Sequence, residues 1–491
     1  MIEAGLSEIL TDLEALQSKV AARAAAILDT WKPMIRRDGF ADSAANFAAY
    51  LALRQQDIRP LQRQLVRFGL SSLGRAEARV EAELAAVIAM VRAATGGTAV
   101  QPVPSERFYA GEAAIAQRAE ELFGPLSPHS PVRLMVTLPS EAADDPGFAR
   151  NLASLGVEAV RINCAHDDEA AWTRMIGHVA EAGRQTGQRM KTFMDLAGPK
   201  IRTGALRLAK GRKRVFEGDE MAIALPGKLD AVPDGLPAAE CTLAAALAAA
   251  RPGERVFLDD GKLAADLIRR ESWGAVLRVT NAPAGKGYKL KPEKGMNFPD
   301  TDFATPALTA EDCQTLRFVA RHADAVQFSF VQDAEDVRQL QDALARERPD
   351  DWQDLGLVLK IETGRAVRNL PEMLVQAAGS QPAAVMIARG DLAVEIGFAR
   401  MAEMQEEILW LGEAAQVPVI WATQVLESYL KSGLPSRGEM TDAAMAARAE
   451  CVMLNKGPYL LQGISELDHL LDRMRGHVSK KTPHLRPLQS W

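Results

Sequence analysis

Two stretches of the 491-residue chain place a hard carboxylate just where an apolar run stops: GLVLKIE ends on Glu362, and AAVMIARGD ends on Asp391. Two such acids on neighbouring segments suit Mg2+, with Mn2+ as the alternative hard ion, completed by water and substrate oxygens. Lys360 stands two residues before Glu362, so on an extended strand the two side chains leave the same face. Arg161 lies near the end of a third apolar run, VEAVRIN. An ammonium and a guanidinium beside a metal ion match the needs of a transferring phosphoryl group, whose equatorial oxygens carry the charge. Gly390 lets backbone amides approach a substrate carboxylate closely. The stretch DLAGPKIRT at 195–203 adds an acid, a Gly-Pro turn and two bases after yet another apolar run. A structural Lys-Glu-Asp network is the competing reading, but polar clusters at five run ends converging on one place weigh against it.

The elements that must position these residues follow from the spacing. Apolar runs begin near 132, 157, 190, 324, 356, 383, 417 and 450; successive starts differ by 25 to 34 residues, except for a gap of 134 after the third. Runs this uniformly apolar fit parallel strands covered on both faces. Eight of them with helical returns predict an α/β fold, a (β/α)8 TIM barrel, whose chemistry lies at the C-terminal strand ends. RINCAH, DLAGPKIR, KIE, ARGD and ATQ all fall there. The long gap predicts a small inserted β domain after strand three, from FEGDEMAIAL, ERVFLDDGKLAADL and WGAVLRVTNA. Upstream, LSEILTDLEALQSKVAARAAAIL and GRAEARVEAELAAVIAMVRAA carry apolar residues three and four apart, an N-terminal α-helical bundle, with 95–108 as a linker. The expected division is 1–125 helical, 126–203 and 298–491 barrel, and 204–297 inserted lid. The apolar helix faces fit either the barrel flank or a second subunit, which leaves a homo-oligomer open.

Composition excludes several classes. A net charge of −6 gives no basic surface for nucleic acid and no polybasic membrane anchor. No run approaches the length of a membrane span, and the start lacks the basic-then-apolar order of a signal peptide. Four scattered cysteines without a CxxC pair read as reduced thiols, consistent with the cytoplasm.

KIETG, MIARGDLAVEIG, VIWATQVLESYLKSGLPSRGEMTD, RINCAH, GPKIRTG, FLDDGKL and KGMNFP resemble the pyruvate kinase family over roughly residues 130–475. The resemblance implies a barrel with an inserted β domain, and transfer of a phosphoryl group from phosphoenolpyruvate to ADP, with Mg2+, giving pyruvate and ATP. It assigns Glu362 and Asp391 to the metal, Lys360 to the phosphoryl in flight and Arg161 to the phosphate. Ala388, Arg389 and Gly390 bring backbone to the carboxylate, with Thr423 and Asn163 beside it. Arg202, His166 and Lys294 face the nucleotide, and Asp260 belongs to the lid.

Departures from the family pattern carry their own expectations. The usual Asp-Thr-Lys-Gly-Pro-Glu run, whose Asp and Thr carbonyl hold K+ together with an Asn and a Ser, here has Leu196, Ala197 and Lys200, and the Ser is Ala165. An ammonium from Lys200 can replace the charge of a bound cation, so K+ is not expected to be required. Asn455-Lys456-Gly457 stands in place of Ser-Gly-Glu after strand eight, and Val331-Gln332 in place of an Arg-rich turn after strand four. The family's C-terminal regulatory domain is expected to be missing after the last barrel helix. These changes keep two other readings in play: a Mg2+-dependent 2-oxo-acid lyase or aldolase acting through a pyruvate enolate, and a non-catalytic phosphoenolpyruvate sensor.

Overall fold

The computed structural model describes residues 2–98, 101, 103–127, 130–208, 214–303 and 305–484. Eight parallel strands close into a barrel: Arg133–Thr137, Ala159–Asn163, Lys191–Asp195, Ala325–Phe328, Gly356–Ile361, Ala383–Ala388, Val419–Ala422 and Cys451–Leu454. Each pairs with the next, and the last with the first. Strands five and six are buried along their whole length, because return helices cover the outside while side chains fill the inside. Their register sets Lys360 opposite Met386 and Ile361 opposite Ile387, which brings Glu362 level with Ala388.

The insertion after strand three is a seven-stranded sheet in the order Met296–Asn297, Arg255–Leu258, Leu263–Glu271, Gly274–Asn281, Glu220–Ala224, Ala238–Cys241, Thr203–Arg207. It has apolar clusters of its own, around Met221, Ile223, Leu258 and Leu277 and around Trp273 and Val276.

The N-terminal helices Ile2–Trp31, Ala41–Arg54, Arg59–Arg67 and Val80–Ala94 form as the spacing predicts, with Pro60 in the first turn of the third. Leu6, Ile9, Leu13, Leu16 and Val20 make the buried stripe of the first. That stripe belongs to one apolar cluster with the barrel's outer helices, so the bundle lies on the barrel flank. Asn46 staples the two layers: its Nδ2 donates to Glu77 O and Ala414 O, both at 2.8 Å, and its Oδ1 accepts from Val80 N at 2.9 Å. The segment 95–108 holds a short helix, Ser105–Phe108; residues 99–100 and 102 of the expected linker lie outside the described ones. Helix Ala110–Phe123 then plugs the N-terminal end of the barrel, packing Ala119, Leu122 and Phe123 among Met135, Ala325 and Val358. Phe123 stacks on Phe193 with ring centroids 5.6 Å apart. With that end filled, the polar mouth is at the other.

Candidate functional site

The mouth is a cavity of about 420 Å3 whose lining carries six Lys or Arg against five Asp or Glu, a balance that favours an anionic occupant. On its floor Asp195, the last residue of strand three, is wholly buried. Its carboxylate accepts from Arg161 Nε at 2.9 Å and Lys360 Nζ at 3.2 Å, with Ser329 Oγ 3.0 Å away. Lys360 also donates to Ser329 Oγ at 2.6 Å and pairs with Glu362 Oε1 at 3.2 Å; Arg161 reaches Thr137 Oγ1 at 3.1 Å. Strands two and five thus deliver a guanidinium and an ammonium to one acid on strand three.

The charge states follow from this packing. Burial would raise Asp195, but Lys360 and Arg161 outweigh it and keep the carboxyl below the usual carboxylate range. Burial would discharge Lys360, yet Asp195 and Glu362 hold it charged, above the ordinary lysine value. Glu362 is pushed up by burial, eased by Lys360, with the Asp391 charge adding to the rise. The Phe330 amide donates to Glu362 Oε2 at 2.6 Å, aimed by a left-handed backbone at Phe330, φ 55°.

Asp391 sits in the first turn of helix Arg389–Ile396, directly after strand six, and accepts from Lys200 Nζ at 2.8 and 3.1 Å. Lys200 arrives on the crossing from strand three to the inserted sheet. A Cβ at Gly198, φ 67°, would lie 2.8 Å from Ser329 Cβ, so a glycine lets that crossing pack down beside the site. Thr423, after strand seven, accepts the Gly390 N–H on Oγ1 at 2.8 Å, which leaves its own hydroxyl proton free to point elsewhere. Arg389 turns its side chain away from the mouth: it donates to Ala422 O at 3.0 Å and Thr423 O at 2.7 Å, pairs with Asp442 and lies over the Trp421 ring.

Of the residues singled out from sequence, Arg161, Asn163, His166, Lys200, Arg202, Lys360, Glu362, Ala388, Asp391 and Thr423 line the one cavity. Arg389, Gly390, Asp260 and Lys294 do not: Arg389 is turned away as described, Gly390 is held through its N–H by Thr423, Asp260 is exposed on a turn of the inserted sheet, and Lys294 pairs with Asp259 at 3.3 Å. Sequence reasoning gave Asp195 no part in holding Lys360 and Arg161, and it passed over Ser329 and Thr137. An acid ending strand three, with bases near the ends of strands two and five, was a usable signal for Asp195; nothing local marks Ser329. Lys456 lines the cavity as well, on the stretch that departs from Ser-Gly-Glu.

Among the described residues no group of three or more His, Cys, Asp and Glu gathers as a metal cage. The two carboxylates Glu362 and Asp391 fit an ion that keeps water and substrate oxygens in its shell. The mutual charge that helps raise Glu362 is what a divalent ion between them would relieve.

The chain is thus a (β/α)8 barrel that carries an inserted sheet and holds a lysine between acids at its strand-end mouth, where barrels of this class place their chemistry. The family model "Pyruvate kinase, barrel domain" matches residues 132–459. Pyruvate kinase of Hypocrea jecorina is 30% identical over 331 residues, covering 64% of this chain and 57% of that protein. Pyruvate kinase of Corynebacterium glutamicum is 31% identical over 329 residues, 66% and 64% of the two chains, and pyruvate kinase 1 of Trypanosoma brucei brucei 29% over 354 residues, 69% and 66%. The chain belongs to the pyruvate kinase family, and it spans 57–66% of the length of these relatives. Among the described residues no helix is long and apolar enough to cross a membrane.

Proposed function

We propose that this protein transfers a phosphoryl group from phosphoenolpyruvate to ADP, giving pyruvate and ATP, in the cytoplasm. The observation that carries the reading is the buried Lys360 ammonium, kept charged by Asp195 and Glu362 and standing beside Arg161 in an anion-favouring cavity. Lys360 and Arg161 hold the equatorial oxygens of the phosphoryl group as its bond to the enolate oxygen breaks and the bond to the ADP oxygen forms. Glu362 and Asp391 would hold Mg2+, which supplies further positive charge to the phosphate oxygens when bound. The backbone at Ala388–Gly390 and the free Thr423 hydroxyl proton receive the substrate carboxylate. Asn163 stands on the substrate side, while His166, Arg202 and, on closure of the lid 204–297, Asp260 and Lys294 serve the nucleotide side. The enolate left behind takes up a proton to become pyruvate.

Independence from K+ belongs to the same proposal. The Asp195 charge is already engaged by Arg161 and Lys360, and the Leu196 carbonyl accepts from Ser329 Oγ at 2.7 Å, so two groups of the family's K+ set have protein partners. A coupled assay for pyruvate with Mg2+, run in K+ and in tetramethylammonium, tests both parts. Turnover should appear and be equal in the two buffers; absence of pyruvate rejects the reaction, and strong activation by K+ rejects the ion claim. Lys360→Met should abolish turnover while Mg2+ binding survives.

A further inference from the structure

Two crossings join the barrel to the inserted sheet, residues 196–202 outward and 294–298 back. They are tied to each other by the Arg202–Gly295 bridge and by the Met296 N–H to Ile201 O bond at 2.9 Å. Both are also tied to the short helix Arg389–Ile396. Lys200 of the outward crossing pairs with Asp391, and Asn297 Nδ2 of the returning one donates to Glu395 Oε1 at 2.9 Å. Asp391 and Glu395 are four residues apart, so they stand one above the other on one helix face. A second cavity of about 240 Å3 lies between the crossings and that face, and Lys200 and Asp391 line both cavities. The ion pair is therefore a partition as well as a tether.

We propose that Lys200 is a placeholder for the divalent ion. Its ammonium neutralises Asp391 while the ion is away, the arriving ion displaces it, and the displacement unties the outward crossing from the helix Arg389–Ile396. The proposal rests on reading Glu362 and Asp391 as the metal pair. Both Asp391 oxygens are engaged by Lys200, so ion and ammonium compete for the same atoms. The pair is 26% and 20% exposed, open enough for an ion to enter and for water to receive the departing ammonium. A lysine suits this exchange better than an arginine, because a single flexible point charge leaves a carboxylate more readily than a planar fork. The freed ammonium remains near the Phe330 ring, 5.9 Å away in the present arrangement, and within the main cavity, where it faces the anionic substrate. One side chain thus compensates the metal site when it is empty and the substrate when it is full.

The test titrates Mn2+ into the full chain without substrate, reading free Mn2+ by electron paramagnetic resonance, for the wild type, Lys200→Gln and Lys200→Arg. Lys200→Gln should bind Mn2+ roughly twofold to fivefold tighter, the range that loss of a partly exposed competing pair supports. Lys200→Arg should bind no tighter than wild type. Hydrogen exchange is the second readout: Mn2+ should accelerate exchange at 196–202 in the wild type, and Lys200→Gln should show that faster exchange without Mn2+. Equal Mn2+ affinity in wild type and Lys200→Gln, no binding in either, or exchange that ignores both Mn2+ and the substitution would overturn the proposal. If pyruvate formation fails while the Mn2+ pattern holds, the transfer reading falls and the lysine exchange stands; the reverse result separates them the other way.

Discussion

Asp195→Asn keeps the shape of the site's central acid and removes its charge. The carboxylate faces Lys360 Nζ at 3.2 Å and Arg161 Nε at 2.9 Å from a fully buried position. At an effective dielectric of about 20, one such pair is worth about 5 kcal/mol before the cost of taking the charges out of water. Breaking a buried pair from one side costs about 3–5 kcal/mol net, because the abandoned cations stay buried. In a large domain each kcal/mol lowers the melting temperature by about 2–4 °C, so Asp195→Asn should melt roughly 6–20 °C below wild type. The sign of the pH dependence is fixed by the same geometry. With its folded pKa below the unfolded value, Asp195 contributes stability that is present above about pH 4 and lost as pH falls through the lower folded value. The deficit, followed by circular dichroism melts, should be full at pH 7 and shrink in acid. A variant melting within about 2 °C of wild type at pH 7 would refute the idea that this acid organises the site.

Other perturbations probe the supports. Phe123→Ala removes the ring stacked on Phe193 and should cost about 3–5 kcal/mol in thermal or urea unfolding, with the mouth at the far end left in place. Glu413, pushed up to about 7 by burial, keeps its proton in the folded state while the unfolded chain releases it from about pH 4.5 upward. Wild-type stability should therefore fall by about 1–2 kcal/mol as pH rises through that window, the full shift being discounted for partial exposure. Melts of Glu413→Gln across pH 5 to about 8 should lack that decline. Gly379→Ala would set a Cβ 2.5 Å from Met34 O, where Arg36 and Arg37 dock on the Gly379 carbonyl, and should loosen the N-terminal helices from the barrel, measured as faster hydrogen exchange there.

The barrel was legible because a strand buried on both faces must be apolar throughout and a return helix has a characteristic length; each strand begins within two residues of the apolar run that announced it. Lys360 and Glu362 were legible as a pair for a local reason, the two-residue alternation of a strand. The inserted sheet was read only in part. Thr203–Arg207, Ala238–Cys241 and Met296–Asn297 are short and not distinctively patterned, and their pairing partners lie far away in sequence. Ser329 and the Phe330 amide escaped notice because a hydroxyl and a backbone N–H acquire meaning only from what faces them.

The order of apolar runs and the strand-end acids and bases, both local properties of the chain, were enough to determine barrel, insertion and the end of the barrel at which the charged residues gather. The rest was decided in three dimensions. Which cation Asp195 holds, whether Lys200 faces a substrate or Asp391, and which end of the barrel Phe123 closes all depend on distances between residues up to hundreds of positions apart. Electrostatic and packing energies are functions of those distances, and one-dimensional spacing does not contain them.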